Sequence, residues 1–123
     1  YRVDRFFHKV PFEKVSEIYS QCHILVKSSI LESFSYPPLE MMATGGLAVV
    51  RPNGGNKEYL KDGENCLFYE PGNIGEAVEK IRKLAENEAL RNHLIEGGLK
   101  TAKQREWETV KQQILNLYLE AGE

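Results

Sequence analysis

Two short apolar runs, "HILV" at residues 23–26 and "LAVV" at 47–50, constrain this chain more than any other feature. Neither alternates with polar residues, so neither suits a strand with one face in water. A short unbroken apolar run between turn residues is the pattern of a strand buried on both faces of a parallel sheet. Between them lies "PPLEMMATGG", with Pro at its start and Gly at its end, the polarity of a short helix. Strand, helix and strand in that order form a right-handed crossover, which places the chain in the α/β class.

The flanking segments extend this pattern. "RVDRFFHKV" is rich in β-branched and aromatic residues and predicts a strand near Val3–His8. "PFEKVSEIYSQC" predicts a helix, with Pro11 suited to its first turn and Val15, Ile18 and Tyr19 at helical spacing. "GGNKEYLKDGEN" reads as one helical turn followed by a D-G turn, and "CLFYE" as a further strand. Ile74, Ala77, Val78, Ile81, Leu84 and Ala85 then form one helical stripe. Two more helices are expected over Glu88–Gln104 and Trp107–Leu119, the last with Trp107, Val110, Ile114, Leu117 and Tyr118 on a face expected to be core. About four strands are few for a doubly wound sheet, and the helical tail is long for so small a sheet. The expectation is therefore a partial Rossmann-like parallel sheet from a larger protein, with an N-terminal portion not included. Residues 1–87 would be its α/β portion and 88–123 its C-terminal helices.

Bulk properties narrow the function classes. Sixteen Lys and Arg against eighteen Asp and Glu give a net charge of −2, interspersed along the chain. That is not the footprint of a nucleic-acid binder or a polybasic membrane patch. The 123 residues suffice for one domain with a real core. Cys22 and Cys66 stand far apart without CxxC spacing and read as reduced core residues. His8, His23 and His93 lack any metal-ligand spacing. No G-x-S-x-G, P-loop or G-x-G-x-x-G occurs, and no apolar run approaches the ~20 residues of a membrane span.

In an open parallel sheet, ligands sit beyond the carboxyl ends of the strands. "KSSILESFSYPPLE" is such a strand-to-helix loop, and it carries Glu32 and Glu40 with seven residues between them. The residue before a proline is pushed out of the helical region, so Pro37 is expected outside the helix, Pro38 near N1 and Glu40 near N3. Amides of the first turn would face an anion such as a phosphate. Two acids flanking a phosphate site fit a ligand with hydroxyls on both sides of its phosphates, the layout of a nucleotide sugar. Spacing alone leaves another reading open: Glu40 as an ordinary helix-start residue and Glu32 as a solvated loop acid.

The stretch "SSILESFSYPPLEMMATGGLAVV" resembles the donor-domain motif of retaining glycosyltransferases of the two-Rossmann (GT-B) type, family four, roughly S-x-x-E-G-F-G-x-P-x-L-E-A-M-A-x-G-x-P-V-V. "VDRFFHKVPFEKVSEIYSQCHILV", "NGGNKEYLKDGENCLFYEPGN" and the closing helices with Trp107 resemble the family's other segments, so the likeness covers nearly the whole chain. It implies a nucleotide-sugar donor, hexosyl transfer to a hydroxyl acceptor with retention, and no metal or other cofactor. Glu32 matches the acid that lies against the donor sugar, and Glu40 the acid that holds the ribose hydroxyls. Phe34, Ser35 and Tyr36 match the loop whose amides approach sugar and diphosphate. Leu39 matches the helix start beside the diphosphate. His8, Lys9 and Val10 match the loop along the nucleobase. Glu58 matches the acid of a GG-x-x-E motif, in which structural and ligand roles are both open.

The chain also departs from the family pattern. Ser33 and Ser35 replace glycines, Gly46-Leu47-Ala48 replaces a G-x-P turn, and Cys66 stands where Gly is common. The family's Arg/Lys pair for the diphosphate is not in this chain, and Lys27 reads as a solvated strand-end lysine. The resemblance further implies a glycan or lipid-linked acceptor bound by an N-terminal domain, a role in surface polysaccharide synthesis, no nucleic acid, and a cytoplasmic setting at the inner face of a membrane. By itself the chain is expected to be inactive as a transferase. The alternative from another class is a non-catalytic nucleotide-binding or interaction module that retains the fold.

Overall fold

The computed structural model describes residues 2–122. Helix α1 (Phe12–Ser20) leads into strand β1 (Ile24–Lys27), helix α2 (Tyr36–Ala43) and strand β2 (Leu47–Val50). Strand β3 (Leu67–Phe68) and helices α3 (Ile74–Glu86), α4 (Glu88–Gln104) and α5 (Trp107–Ala121) follow. The sheet is parallel in the order β1-β2-β3. Ile24 pairs with Leu47, Lys27 with Val50, and Val50 in turn with Phe68. The carboxyl ends of the three strands therefore lie side by side, and the loops that follow them share one edge.

Residues of the predicted Val3–His8 strand lie outside any strand, so the described residues form three strands rather than about four. Val3, Phe6 and Phe7 are exposed there: their β propensity has no neighbouring ladder to join, and propensity alone does not make a strand. The turn expected in residues 54–65 forms a run of turns without a helix.

All four residues of β2 are buried, and the period of two along a strand sends them to opposite faces. Leu47 and Val49 pack with Leu67, Tyr69, Ala77, Leu84 and Leu94. Ala48 and Val50 pack with Met42, Tyr59, Leu60 and Cys66. This two-sided burial is the reason for the unbroken apolar run. Of the α3 stripe, Ala77 and Leu84 are buried, whereas Ile74 and Val78 face outward at 77% and 47% exposure. Cys66 is buried, but Cys22 is exposed, contrary to the expectation of two core cysteines.

The "TGG" sequence ends α2 with a Schellman motif. Gly46 N–H donates to Met41 O at 2.9 Å and Gly45 N–H to Met42 O at 3.0 Å. Gly45 adopts φ 78°, a left-handed conformation open to glycine at little cost. Asn73 and Asn87 cap α3 and α4 through side chains that accept from Glu76 N and Leu90 N. Helix α5 buries none of its residues. Trp107, Ile114, Leu117 and Tyr118 are exposed, so the face expected as core is not covered within the described residues.

Candidate functional site

The loop after β1 runs from Ser28 to Ser35 and is folded down onto the loop after β2. Glu32 lies in it with its side chain only 18% exposed. The Lys27 ammonium, at the carboxyl end of β1, sits 2.9 Å from Glu32 Oε1 and is itself only 21% exposed. Asn53 Nδ2 reaches Glu32 Oε2 at 3.4 Å and the Ser29 carbonyl at 3.2 Å. The 2.9 Å ion pair is the stronger restraint, since a 3.4 Å hydrogen bond is long. Lys27, expected as a solvated lysine, is thus part of the site. Its place as the last residue of a strand in an open α/β sheet was the signal for it.

Asn53 is fixed by its own turn. Its Oδ1 accepts the amides of Gly55 and Asn56, each at 3.0 Å, and its backbone N–H donates to Asn56 Oδ1 at 2.9 Å. Gly55 is a glycine for a steric reason: a Cβ there would overlap the backbone carbonyl of Glu32. The "PNGG" segment is therefore the floor on which the Glu32 loop rests.

Two effects oppose each other at the Glu32 carboxyl. Burial, the largest, raises its pKa, but the Ser35 hydroxyl, the Lys27 ammonium and the Asn53 amide together hold it below the ordinary 4.5. The Ser35 hydroxyl is close enough to act on Glu32 but is not in hydrogen-bonding geometry with it. Ser35 is fully buried, and its Oγ has no partner. Because the folded value lies below the unfolded one, the stabilisation from Glu32 is fully present above pH 4.5 and is lost as pH falls through the folded value. The urea-midpoint difference between wild type and Glu32→Gln is expected to shrink from pH 6 toward pH 3.

The rest of the loop is anchored by aromatic packing. Phe34 makes an edge contact with Tyr36 at 4.8 Å and a tilted one with Tyr59 at 5.2 Å between ring centroids. The Tyr59 hydroxyl donates to the Ser35 carbonyl, and burial pushes the phenol's pKa up. Phe34 and Leu39 pack against the cluster around Val50, and Tyr36 is 60% exposed. Of these three side chains, only that of Tyr36 stands clear of the core.

Helix α2 starts earlier than the prolines implied. Ser35 is its N-cap and Tyr36 its first residue, so Pro37 and Pro38 occupy N2 and N3 and Glu40 is the fifth residue rather than N3. The fixed φ of proline fits a first turn, where amides lack partners in any case. Glu40 is therefore too deep in the helix to cap it. It lines a cavity of about 320 Å³ between α1 and α2 with Phe12, Val15, Tyr19 and Thr44. Burial and then the Glu40 carboxylate push the Tyr19 phenol up to about 12.

His8, Lys9 and Val10 form the approach to α1. His8 is exposed and stacks loosely on Phe6. Lys9 turns the chain at φ 51°, which costs a non-glycine residue about 1–2 kcal/mol. Glu58 pairs with Arg105 at 2.8 Å, tying the segment after "NGG" to the junction of α4 and α5. Among the described residues no three His, Cys, Asp or Glu side chains converge as a metal site would require, and no helix is long and apolar enough to cross a membrane.

The two acids thus have separate settings: Glu32 over the Asn53 turn at the carboxyl edge of the sheet, and Glu40 between α1 and α2. Residues 4–101 match the family described as Glycosyl transferases group 1. The chain belongs to that family. The O-antigen biosynthesis protein RfbC of Myxococcus xanthus is 31% identical over 92% of this chain and 9% of that protein. A second relative, an uncharacterized glycosyltransferase of Methanocaldococcus jannaschii, is 32% identical over 91% of this chain and 32% of that protein. The D-inositol 3-phosphate glycosyltransferase of a Nocardioides species is 29% identical over 97% of this chain and 26% of its own length. The chain therefore spans between 9% and 32% of the length of these relatives.

Two solved structures share the fold. The sucrose-phosphate synthase of Thermosynechococcus elongatus superposes with a TM-score of 0.81 at 22% identity, over 95% of this chain and 30% of that one. The Anabaena protein HepE, solved in complex with UDP, does so with a TM-score of 0.77 at 23% identity, over 86% of this chain and 30% of its own. The architecture of three parallel strands and five helices is that of the GT-B fold.

Proposed function

We propose that this chain is the nucleotide-sugar-binding part of a retaining hexosyltransferase that passes a hexosyl group from an activated donor to a hydroxyl acceptor. The observation that carries the reading is the state of Glu32. Its carboxylate is kept ionised in a half-buried niche at the carboxyl edge of β1, beside the buried, unpartnered hydroxyl of Ser35. An ionised carboxylate only accepts hydrogen bonds, and each of its oxygens can accept more than one. After Lys27 and Asn53 have each taken a place, acceptor sites remain for the hydroxyls of a sugar. Glu40, with Tyr19 beside it in a separate cavity, is assigned to the ribose hydroxyls. His8, Lys9 and Val10 are assigned to the base, and the amides of the Phe34–Tyr36 loop and of Leu39 to the diphosphate.

The UDP bound by HepE supports a nucleoside diphosphate donor. The O-antigen biosynthesis for which the Myxococcus relative is named supports a setting in surface polysaccharide synthesis, and a glycan or lipid-linked acceptor is assigned on that reading.

Calorimetry of the full-length protein with UDP, GDP and ADP, and with UDP-glucose and GDP-mannose, tests the assignment. Glu40→Gln is expected to weaken the preferred nucleotide by about tenfold or more, the usual value of a hydrogen bond to a charged group. Glu32→Gln is expected to spare the free nucleotide and to weaken the nucleotide sugar. Wild-type affinity of Glu40→Gln for the nucleotide would overturn the ribose assignment. Wild-type affinity of Glu32→Gln for the nucleotide sugar would overturn the sugar assignment.

A further inference from the structure

We propose that Lys27 is the positioning residue for Glu32, a clamp that holds the carboxylate in place from the strand end. The inference rests on the reading of Glu32 as the acid facing the donor sugar.

The geometry comes first. Lys27 is the last residue of β1 and is paired in register with Val50 of the fully buried central strand. Its carbonyl accepts the Arg51 amide at 2.9 Å. Its backbone is therefore held in the sheet ladder, whereas Glu32 sits in a loop with no ladder of its own. The 2.9 Å ion pair with Glu32 Oε1 transfers that rigidity from strand to loop. Asn53 holds the other oxygen, Oε2, from a turn closed by its own hydrogen bonds to Gly55 and Asn56. A carboxylate held at one oxygen from a strand end and, by a longer contact, at the other from a closed turn has its orientation set before any ligand arrives. Such preorganisation spares a ligand the cost of ordering it.

The electrostatics point the same way. The titratable groups that face Glu32 are Lys27 from β1 and the Tyr59 phenol from beyond β2. Tyr59 is kept neutral by burial, so the ammonium supplies the opposing charge. Both members of the pair are mostly shielded from water, where such a pair is screened less than on an open surface. Removing Lys27 leaves the burial of Glu32 opposed only by the Ser35 hydroxyl and the Asn53 amide, and the carboxyl then moves toward its protonated form.

The test is a pH profile, which a merely structural residue would not shift. Carboxyl-carbon NMR titration of the glutamate-labelled full-length protein gives the midpoint of Glu32, assigned by the resonance lost in Glu32→Gln. In Lys27→Met, or in Lys27→Gln should the methionine variant fold poorly, the Glu32 midpoint is expected to move to higher pH. Lys27→Arg is expected to stay close to wild type. The acidic limb of UDP-glucose or GDP-mannose binding, whichever the wild type takes, should move in the same order. An unmoved Glu32 midpoint in both Lys27→Met and Lys27→Gln overturns the clamp. A moved midpoint with nucleotide-sugar binding still at wild-type strength in Glu32→Gln leaves the clamp standing and removes the donor-sugar reading instead.

Discussion

Gly55→Val will cost the protein both stability and its candidate donor site, while Gly54→Ala next to it will change neither. The contrast follows from what a side chain would meet. A Cβ on Gly55 collides with the carbonyl oxygen and carbon of Glu32 and with the carbonyl carbon of Ser33, all backbone atoms. Backbone cannot rotate away as the end of a side chain can, so the whole Glu32 loop has to lift. Overpacking of a close-packed region costs about 1–3 kcal/mol, and here the displaced segment carries the acid assigned to the sugar. A Cβ on Gly54 meets nothing within 4 Å, and exposed substitutions of that kind stay within roughly 0.5 kcal/mol. Urea unfolding and nucleotide-sugar calorimetry on both variants check the pair. Wild-type binding by Gly55→Val would show that the loop does not need the turn beneath it.

Leu84→Ala is expected to lose about 2–5 kcal/mol, the range for emptying a fully buried leucine site. Leu84 is 0% exposed and lies between Val49, Leu94 and Ala77, with Ile81 and Leu90 packed against the cluster. A loss of that size is a large part of the ~5–15 kcal/mol that holds a typical domain together. Val78→Ala on the same helix is the control, because Val78 is 47% exposed and should shift stability by well under 1 kcal/mol. The two were equal members of one apolar stripe in the sequence. Equal losses in urea midpoint for Leu84→Ala and Val78→Ala would mean that α3 packs with a different face.

That pair shows what periodicity delivers and where it stops. The doubly buried strand β2, the crossover, and the extent of α4 (Glu88–Gln104) were legible because both faces of a strand, or one stripe of a helix, must be apolar to be buried. Strand β1, expected to be buried on both faces as well, lies at the edge of the sheet and leaves Val26 49% exposed. The width of the buried stripe was not legible, since it depends on how closely α3 lies to the sheet. The same limit explains α5, whose apolar face was visible in sequence but whose burial depends on what lies against it. The absent strand near Val3–His8 is a third instance: a ladder needs a neighbour, and no local pattern supplies one.

At the candidate site, Glu32 and Glu40 were singled out by resemblance, since spacing alone left another reading open, and the structure gives them separate neighbours. Lys27, Asn53 and Gly55 were not singled out for the site, because they reach Glu32 only through tertiary contact between two loops. The start of α2 was displaced because the steric rule for the residue before a proline was given too much weight. The first helical turn tolerates two prolines where its amides would have no partner.

The turn built on Asn53 has a dynamic consequence. One side chain holds the amides of Gly55 and Asn56, the carbonyl of Ser29 and the carboxylate of Glu32. The loops after β1 and β2 therefore share this fastener, alongside the Tyr59 contacts with Phe34 and Ser35, and are expected to open together. In hydrogen exchange, the Gly55 and Asn56 amides should be released together with the opening of the Glu32 loop, as one cooperative unit. A ligand arriving at this edge meets a rigid body that it can shift as a whole, not a flap that it can fold over itself.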